Sequence, residues 1–220
     1  MDDYAAPLAV TICAVLLIVA RQRFAPACYP GGRVPLRTDV GVAVVVVALA
    51  IAGLFAMGRT PWCECGSIKL WTAAVSSNEN SQQLSDPYTF THITHGVLFY
   101  AALAALARFR PMSLRLRALI ALTVECAWEL AENTDTVIER YRTATLALDY
   151  YGDSILNSLG DVAACMAGFA LAARLPLWVT VVLVLALEVI LALWIKDNLT
   201  LSVLMLLYPI AAVKRWQIGH

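Results

Sequence analysis

Residues 116–133 read LRALIALTVECAWELAEN, an apolar run that holds Glu125, Glu129 and Glu132. Their i, i+4, i+7 spacing puts the three carboxylates on one face of a helix. A carboxylate at membrane depth costs several kcal/mol unless it meets a polar cavity or a partner. Three on one stripe cannot all be charged cheaply without cations or a water-filled cleft. The stretch therefore reads as a helix with one wet face, inside a bundle that supplies the other walls of a site.

Further apolar runs lie on both sides of it. The spans fall near residues 5–20, 40–57, 90–107, 116–133, 153–173, 177–195 and 199–213. Several approach the roughly 20 residues that cross a bilayer core. The composition agrees, with 60% hydrophobic residues, 15% charged residues and a mean hydropathy of +0.71. The expected fold is an all-α polytopic transmembrane bundle of about seven spans, forming a single integral membrane domain over residues 1–220. Six is the alternative, because 199–213 contains Pro209 and follows the previous run after only Lys196-Asp197-Asn198. Net charge is formally zero, which leaves no argument for a nucleic-acid partner. The expected partner is the lipid bilayer, and the oligomeric state is open. Ala25-Pro26-Ala27-Cys28 has the look of a processing site, but Asp2 and Asp3 precede the first run and Arg21 and Arg23 follow it, so an uncleaved span is expected.

Arg21, Arg23, Arg33, Arg37, Arg108, Arg110, Arg115, Arg117, Arg174, Lys214 and Arg215 fall on one side of a seven-span topology. Arg59, Lys69, Arg140, Arg142 and Lys196 fall on the other. The positive-inside rule then predicts a bacterial inner-membrane protein with a periplasmic N-terminus and a cytoplasmic C-terminus. In that frame Glu125, Glu129, Glu132, Asp153, Asp161, Glu188, His92 and His95 all fall in the outer half. The deepest lie about 10 Å below the surface. Antiparallel neighbours would match in layers: Glu132 with Asp153, Glu129 with Asn157, and Glu125 with Asp161.

His92 and His95 share a helical face at i, i+3. Paired imidazoles joined by carboxylates from other helices suit zinc or another divalent metal. His92, His95, Glu129, Glu132 and Asp153 are the candidate ligands; His95, Glu125, Glu129 and Asp161 are the candidate catalytic groups. The alternative is that the histidines and carboxylates simply satisfy one another by hydrogen bonding. Asp153, Asn157 and Asp161 form a stripe at i, i+4, i+8, and Asp153 could instead cap the helix start. Gly160 and Gly168 offer close approach to a neighbouring helix. Arg140 and Arg142 are suited to clamping a phosphate or carboxylate, with Asn133 and Asn157 as further substrate contacts. The polar run Ser76–Gln83 and Lys196-Asp197-Asn198 border the same region, the latter as a lid. Cys63-Glu64-Cys65 is expected to form no simple structural disulfide, since the i, i+2 spacing strains one.

Ser77–Gln82, Phe90–Gly96, Glu125–Asn133, Asp149–Asp161 and Ile195–Leu201 together resemble an uncharacterised family of multi-pass inner-membrane proteins of alphaproteobacteria, which carry a domain of unknown function. The resemblance implies a location and no activity. A more distant likeness is to the VanZ-like membrane proteins associated with glycopeptide resistance. It rests on Glu129, Arg142 and the Asp153-x-x-x-Asn157-x-x-Gly160 helix, and implies an envelope role. The residues themselves suggest metal-dependent or acid/base hydrolysis or group transfer on a lipid or lipid-linked substrate. A proton- or cation-coupled transporter and a structural accessory protein are the alternatives.

Overall fold

A computed structural model describes residues 3–28, with side chains to residue 23, and 34–73, 75, 77–144 and 150–219. Asp2, Arg33, Ser76 and Asp149, which entered the sequence reading, lie outside the described residues. Among the described residues every regular element is helical: α1 (Ala5–Cys28), α2 (Leu36–Ala56), α3 (Thr89–Leu106), α4 (Leu114–Glu132), α5 (Asp135–Ala144), α6 (Ile155–Ala172), α7 (Leu177–Trp194), α8 (Leu199–Leu207) and α9 (Ala211–Ile218). The residues around Ala25–Cys28 continue α1.

Among the described residues five helices are long and apolar enough to cross a membrane: Ala5–Arg23 of α1, then α2, α3, α6 and α7. Their outward faces are apolar, as on α7, where Leu177, Val181, Leu185, Val189 and Leu193 are exposed. A sixth helix, α4, has 19 residues and is about as long, but it carries the three glutamates and is central. It packs against α1, α2, α3 and α6.

The expected seventh span over 199–213 is corrected. Asn198 caps α8 by accepting a 2.7 Å hydrogen bond from Leu201 N, and the helix stops before Tyr208-Pro209. Its nine residues reach about 14 Å, half a bilayer core. α8 and α9 instead fold back over the end of the bundle where α4 terminates. Arg140 Nε of α5 donates to Leu206 O at 2.8 Å, Gln217 Nε2 donates to Lys196 O at 3.0 Å, and Lys214 Nζ donates to Thr143 O. Asp3 caps α5 at that same end, accepting from Asp135 N at 3.1 Å and Thr136 N at 2.9 Å. Residues 3 and 217 therefore share one end of the bundle. The sequence reading put the termini on opposite sides, which would need 199–213 to run unbroken across the bundle; α8 covers only half that length.

Glycine sets the tightest packing. Cβ atoms built on Gly96 of α3 and Gly168 of α6 would overlap the carbonyl oxygens of Cys165 and Ile93, so the two backbones touch along this seam. Gly160 meets Leu84 O in the same way. The far end is held differently, by Asp39 of α2. Its carboxylate pairs with Arg21 of α1 at 2.7 Å and with Arg115 of α4 at 3.0 Å. Between the two ends Ala14, Val46, Ala50, Leu122, Cys126 and Val162 fill the interior.

Cys63 and Cys65 are bonded to each other, against the expectation from their spacing. Gly66 at φ 75° donates its N–H to Cys63 O at 3.1 Å, closing a turn that holds the two Cα atoms 5.1 Å apart, within normal disulfide reach.

Gly96→Ala and Gly168→Ala should each destabilise the protein by about 1–3 kcal/mol or more, because the added methyl meets backbone that cannot swing away. Gly41→Ala, with open space around its Cβ, should be neutral or stabilising. Thermal melting of detergent-solubilised variants checks the contrast.

Candidate functional site

Four elements converge at the end of the bundle where α4 terminates. α3 contributes the histidines, α4 the glutamates, α6 Asp161, and the segment before α6 Asp153. The close α3–α6 seam sets the distances. His92 Nδ1 lies 2.6 Å from Glu125 Oε1, and His95 Nδ1 lies 3.2 Å from Glu125 Oε2. His92 Nδ1 is also 3.5 Å from Glu129 Oε1, while its Nε2 is 3.8 Å from Asp161 Oδ2. Glu125 is fully buried, and His92, Glu129 and Asp161 are nearly so. Among the described residues neither oxygen of Glu129, nor Oδ1 of Asp161, has a hydrogen-bond partner. Unpartnered buried carboxylate oxygens are costly, and a cation or water is the group that would satisfy them.

Two overlapping sets have ligand atoms within 4.8 Å of one another: His92, His95 and Glu125, and His92, Glu129 and Glu132. Of the sequence-derived ligands, Asp153 stands apart from these sets. Its Oδ2 accepts from Asn133 Nδ2 at 2.9 Å and its Oδ1 from Tyr150 OH at 3.0 Å, and burial pushes its carboxyl up to about 6. It does not cap α6 either. Ser154 does that, its hydroxyl accepting from Asn157 N at 3.1 Å.

The cavity beside these groups has a volume of about 60 Å³, room for an ion or a few waters. His92, His95, Glu132, Asp153 and Asp161 form its polar wall. Tyr88, Tyr141, Tyr150 and Trp128 supply aromatic surface, and Leu199, Val203 and Leu206 of α8 form an apolar wall. Asp197, from the Lys196-Asp197-Asn198 segment, also lines it. Asp197 accepts from Asn198 N at 2.9 Å and Ser202 Oγ at 3.1 Å, and burial pushes its carboxyl up to about 6.

Glu125 and Glu129 stand behind the imidazoles and do not line the cavity, and four further candidates also lie outside its lining. Arg140 is occupied by Leu206 O, and Arg142 sits on the surface 3.9 Å from Glu139. Asn133 is committed to Asp153 and to Glu129 O, and Asn157 donates to Gln83 O at 2.8 Å. These asparagines tie the loops down, Asn133 through both of its amide N–H groups and Asn157 through its bond to Gln83 O. Glu188 is also away from the site: its carboxylate accepts from Leu199 N and Thr200 N at 3.1 Å, at the N-terminus of α8. The layered pairing is replaced by carboxylate–imidazole pairing, because α3 stands between the stripes of α4 and α6. Trp128, Tyr88 and Ser202 were missed. Trp128 was legible, since it shares the helical face of Glu125 and Glu132 at i+3 and i−4. Tyr88 and Ser202 carry no such signal.

These features define a class, an all-helical membrane-embedded protein with a buried histidine–carboxylate centre near one end of its bundle. The chain belongs to the family described as protein of unknown function DUF2585, whose model matches residues 54–219. That stretch includes every residue lining the cavity. Similar proteins include a UPF0314 protein of Sinorhizobium fredii, 55% identical over 174 residues that cover 79% of this chain and 87% of the relative. A UPF0314 protein of Paracoccus denitrificans is 50% identical, covering 79% and 89%. One from Brucella anthropi is 46% identical, covering 83% and 93%. These matches do not show the more distant VanZ likeness. No solved structure matches.

His92→Ala should lower stability by about 3 kcal/mol, because Glu125 loses its shortest partner while remaining fully buried. Adding Glu125→Leu to that variant should recover part of the loss, as read by thermal melting.

Proposed function

We propose that this protein is a divalent-metal-dependent hydrolase or transferase of the bacterial inner membrane, acting at the periplasmic leaflet on a lipid or lipid-linked envelope substrate. The observation that carries this reading is the set of buried His92, half-buried His95 and buried Glu125, next to a Glu129 carboxylate whose two oxygens accept no hydrogen bond among the described residues. The first three would hold the ion. Glu129 and Asp161 would exchange protons with a water polarised on it. The cavity pairs a carboxylate- and tyrosine-lined wall with an apolar wall from α8, a match for an amphiphile whose polar end meets an ion held there while its chain stays in lipid. Among the described residues no Lys or Arg lines it, so an anionic head group would be bound through the ion. A coupled transporter would need a polar route through the far half of the bundle, which apolar side chains and the Asp39 ion cluster fill.

The periplasmic orientation rests on charge. With six crossing helices, eight basic residues fall at the far end among the described residues (Arg21, Arg23, Arg37, Arg108, Arg110, Arg115, Arg117 and Arg174), with Asp39 as the lone acid beside them. The Cys63–Cys65 disulfide lies at the site end, where an oxidising compartment would preserve it.

Elemental analysis of the purified protein should find about one divalent ion per chain, and Glu125→Gln and His95→Ala should lose it. Metal-free protein that also fails to bind added zinc, manganese or magnesium by calorimetry would refute the metal-dependent reading. In whole cells, single cysteines placed after residue 218 and in the 57–88 loop should both react with a membrane-impermeant maleimide, while one near residue 110 should not. Protection of the C-terminal cysteine would refute the six-crossing orientation.

A further inference from the structure

The Cys63–Cys65 bond is poorly placed to serve as a staple. Closing a ring around a single intervening residue constrains the unfolded chain very little, so stabilisation is a weak reason for it. Its surroundings suit chemistry better. The two sulfurs are unequal: Cys63 is buried, whereas Cys65 is exposed in an open polar cleft shared with Arg59, Glu64, Asn78 and Gln82. Hydrogen-bond donors face both sulfurs. Cys65 N donates to Cys63 Sγ at 3.2 Å. Cys65 Sγ lies 3.1 Å from Ser67 Oγ and 3.6 Å from Nε2 of Gln83, a fully buried side chain whose Oε1 is fixed by Lys69 N at 2.7 Å.

We infer that Cys63–Cys65 is a thiol–disulfide exchange centre that accepts two electrons from a dithiol. A thiolate of the incoming dithiol attacks the accessible Cys65 Sγ, forming a mixed disulfide and breaking the Cys63–Cys65 bond. The electron pair leaves on Cys63 Sγ, where the Cys65 N–H stabilises the thiolate. The second thiol of the dithiol, as its thiolate, then attacks its own partner sulfur in the mixed disulfide. Cys65 leaves as a thiolate towards Ser67 Oγ and Gln83 Nε2. The dithiol ends as a disulfide, and Cys63 and Cys65 end as thiols after taking up two protons. Exposure dictates the order, because the buried sulfur cannot be attacked first. This activity is independent of the metal reading.

The test uses the full-length protein in detergent, with dithiothreitol as the dithiol and peptide mass spectrometry after alkylation as the readout. Dithiothreitol should reduce the pair in the folded protein within minutes, and oxidised glutathione should restore it. Cys63→Ser should capture glutathione on Cys65 about tenfold faster than Cys65→Ser captures it on Cys63, with helicity unchanged in both. Ser67→Ala, on the exposed turn, should slow reduction about threefold or more. A pair that stays oxidised until the protein unfolds, equal capture by the two cysteines, or an unchanged rate in Ser67→Ala would each overturn the proposal.

Discussion

Burial of the Glu125 carboxylate is the constraint around which the site is arranged. A fully buried carboxylate is tolerated only when charge-compensating donors close around it. Here both come from α3, as His92 and His95. That requires α3 to sit against α4 with its histidine face turned inward. The glycine seam makes this possible, because Gly96 and Gly168 let α3 and α6 approach to backbone contact. Asp161 then comes within 3.8 Å of the other nitrogen of His92. One imidazole is thus shared among three carboxylates from two helices.

The two ends of the bundle treat charge in opposite ways. At the far end Asp39 is neutralised by two arginines and joins three helices. At the site end carboxylates outnumber cations, and Glu129 has no hydrogen-bond donor of its own. The first arrangement is charge-neutralised by its own side chains. The second is left open for something to enter, which is why chemistry is assigned there and structure to the other.

The loops around the site are held by buried polar side chains. Asp86 accepts from Ser81 N at 3.0 Å, holding Ser81 at φ 57°. Ser154 Oγ donates to Gln82 O and Asn157 Nδ2 donates to Gln83 O, fastening the 77–83 turn to the start of α6. The same Gln83 faces Cys65, so the disulfide turn and the cavity share one hydrogen-bonded support. α8 completes the enclosure, its apolar side facing the carboxylates and its start capped by Glu188.

Much of this was legible before any coordinates. The apolar runs gave six of the helices, the i, i+4, i+7 glutamates and i, i+3 histidines gave the inward faces, and Gly160 and Gly168 marked close approach. Such features are local: helical period and hydropathy follow from the order of residues alone. Partner choice did not. Which carboxylate each histidine meets, whether Asn133 and Asn157 face a ligand or a loop, and whether Arg140 reaches the site all depend on how helices rotate and stagger once packed. Leu199–Val213 has the composition of a span, yet it folds back at Tyr208-Pro209 onto α5 and Lys196. Hydropathy measures preference for lipid along a segment, whereas crossing also needs unbroken length, and only the tertiary structure decided that.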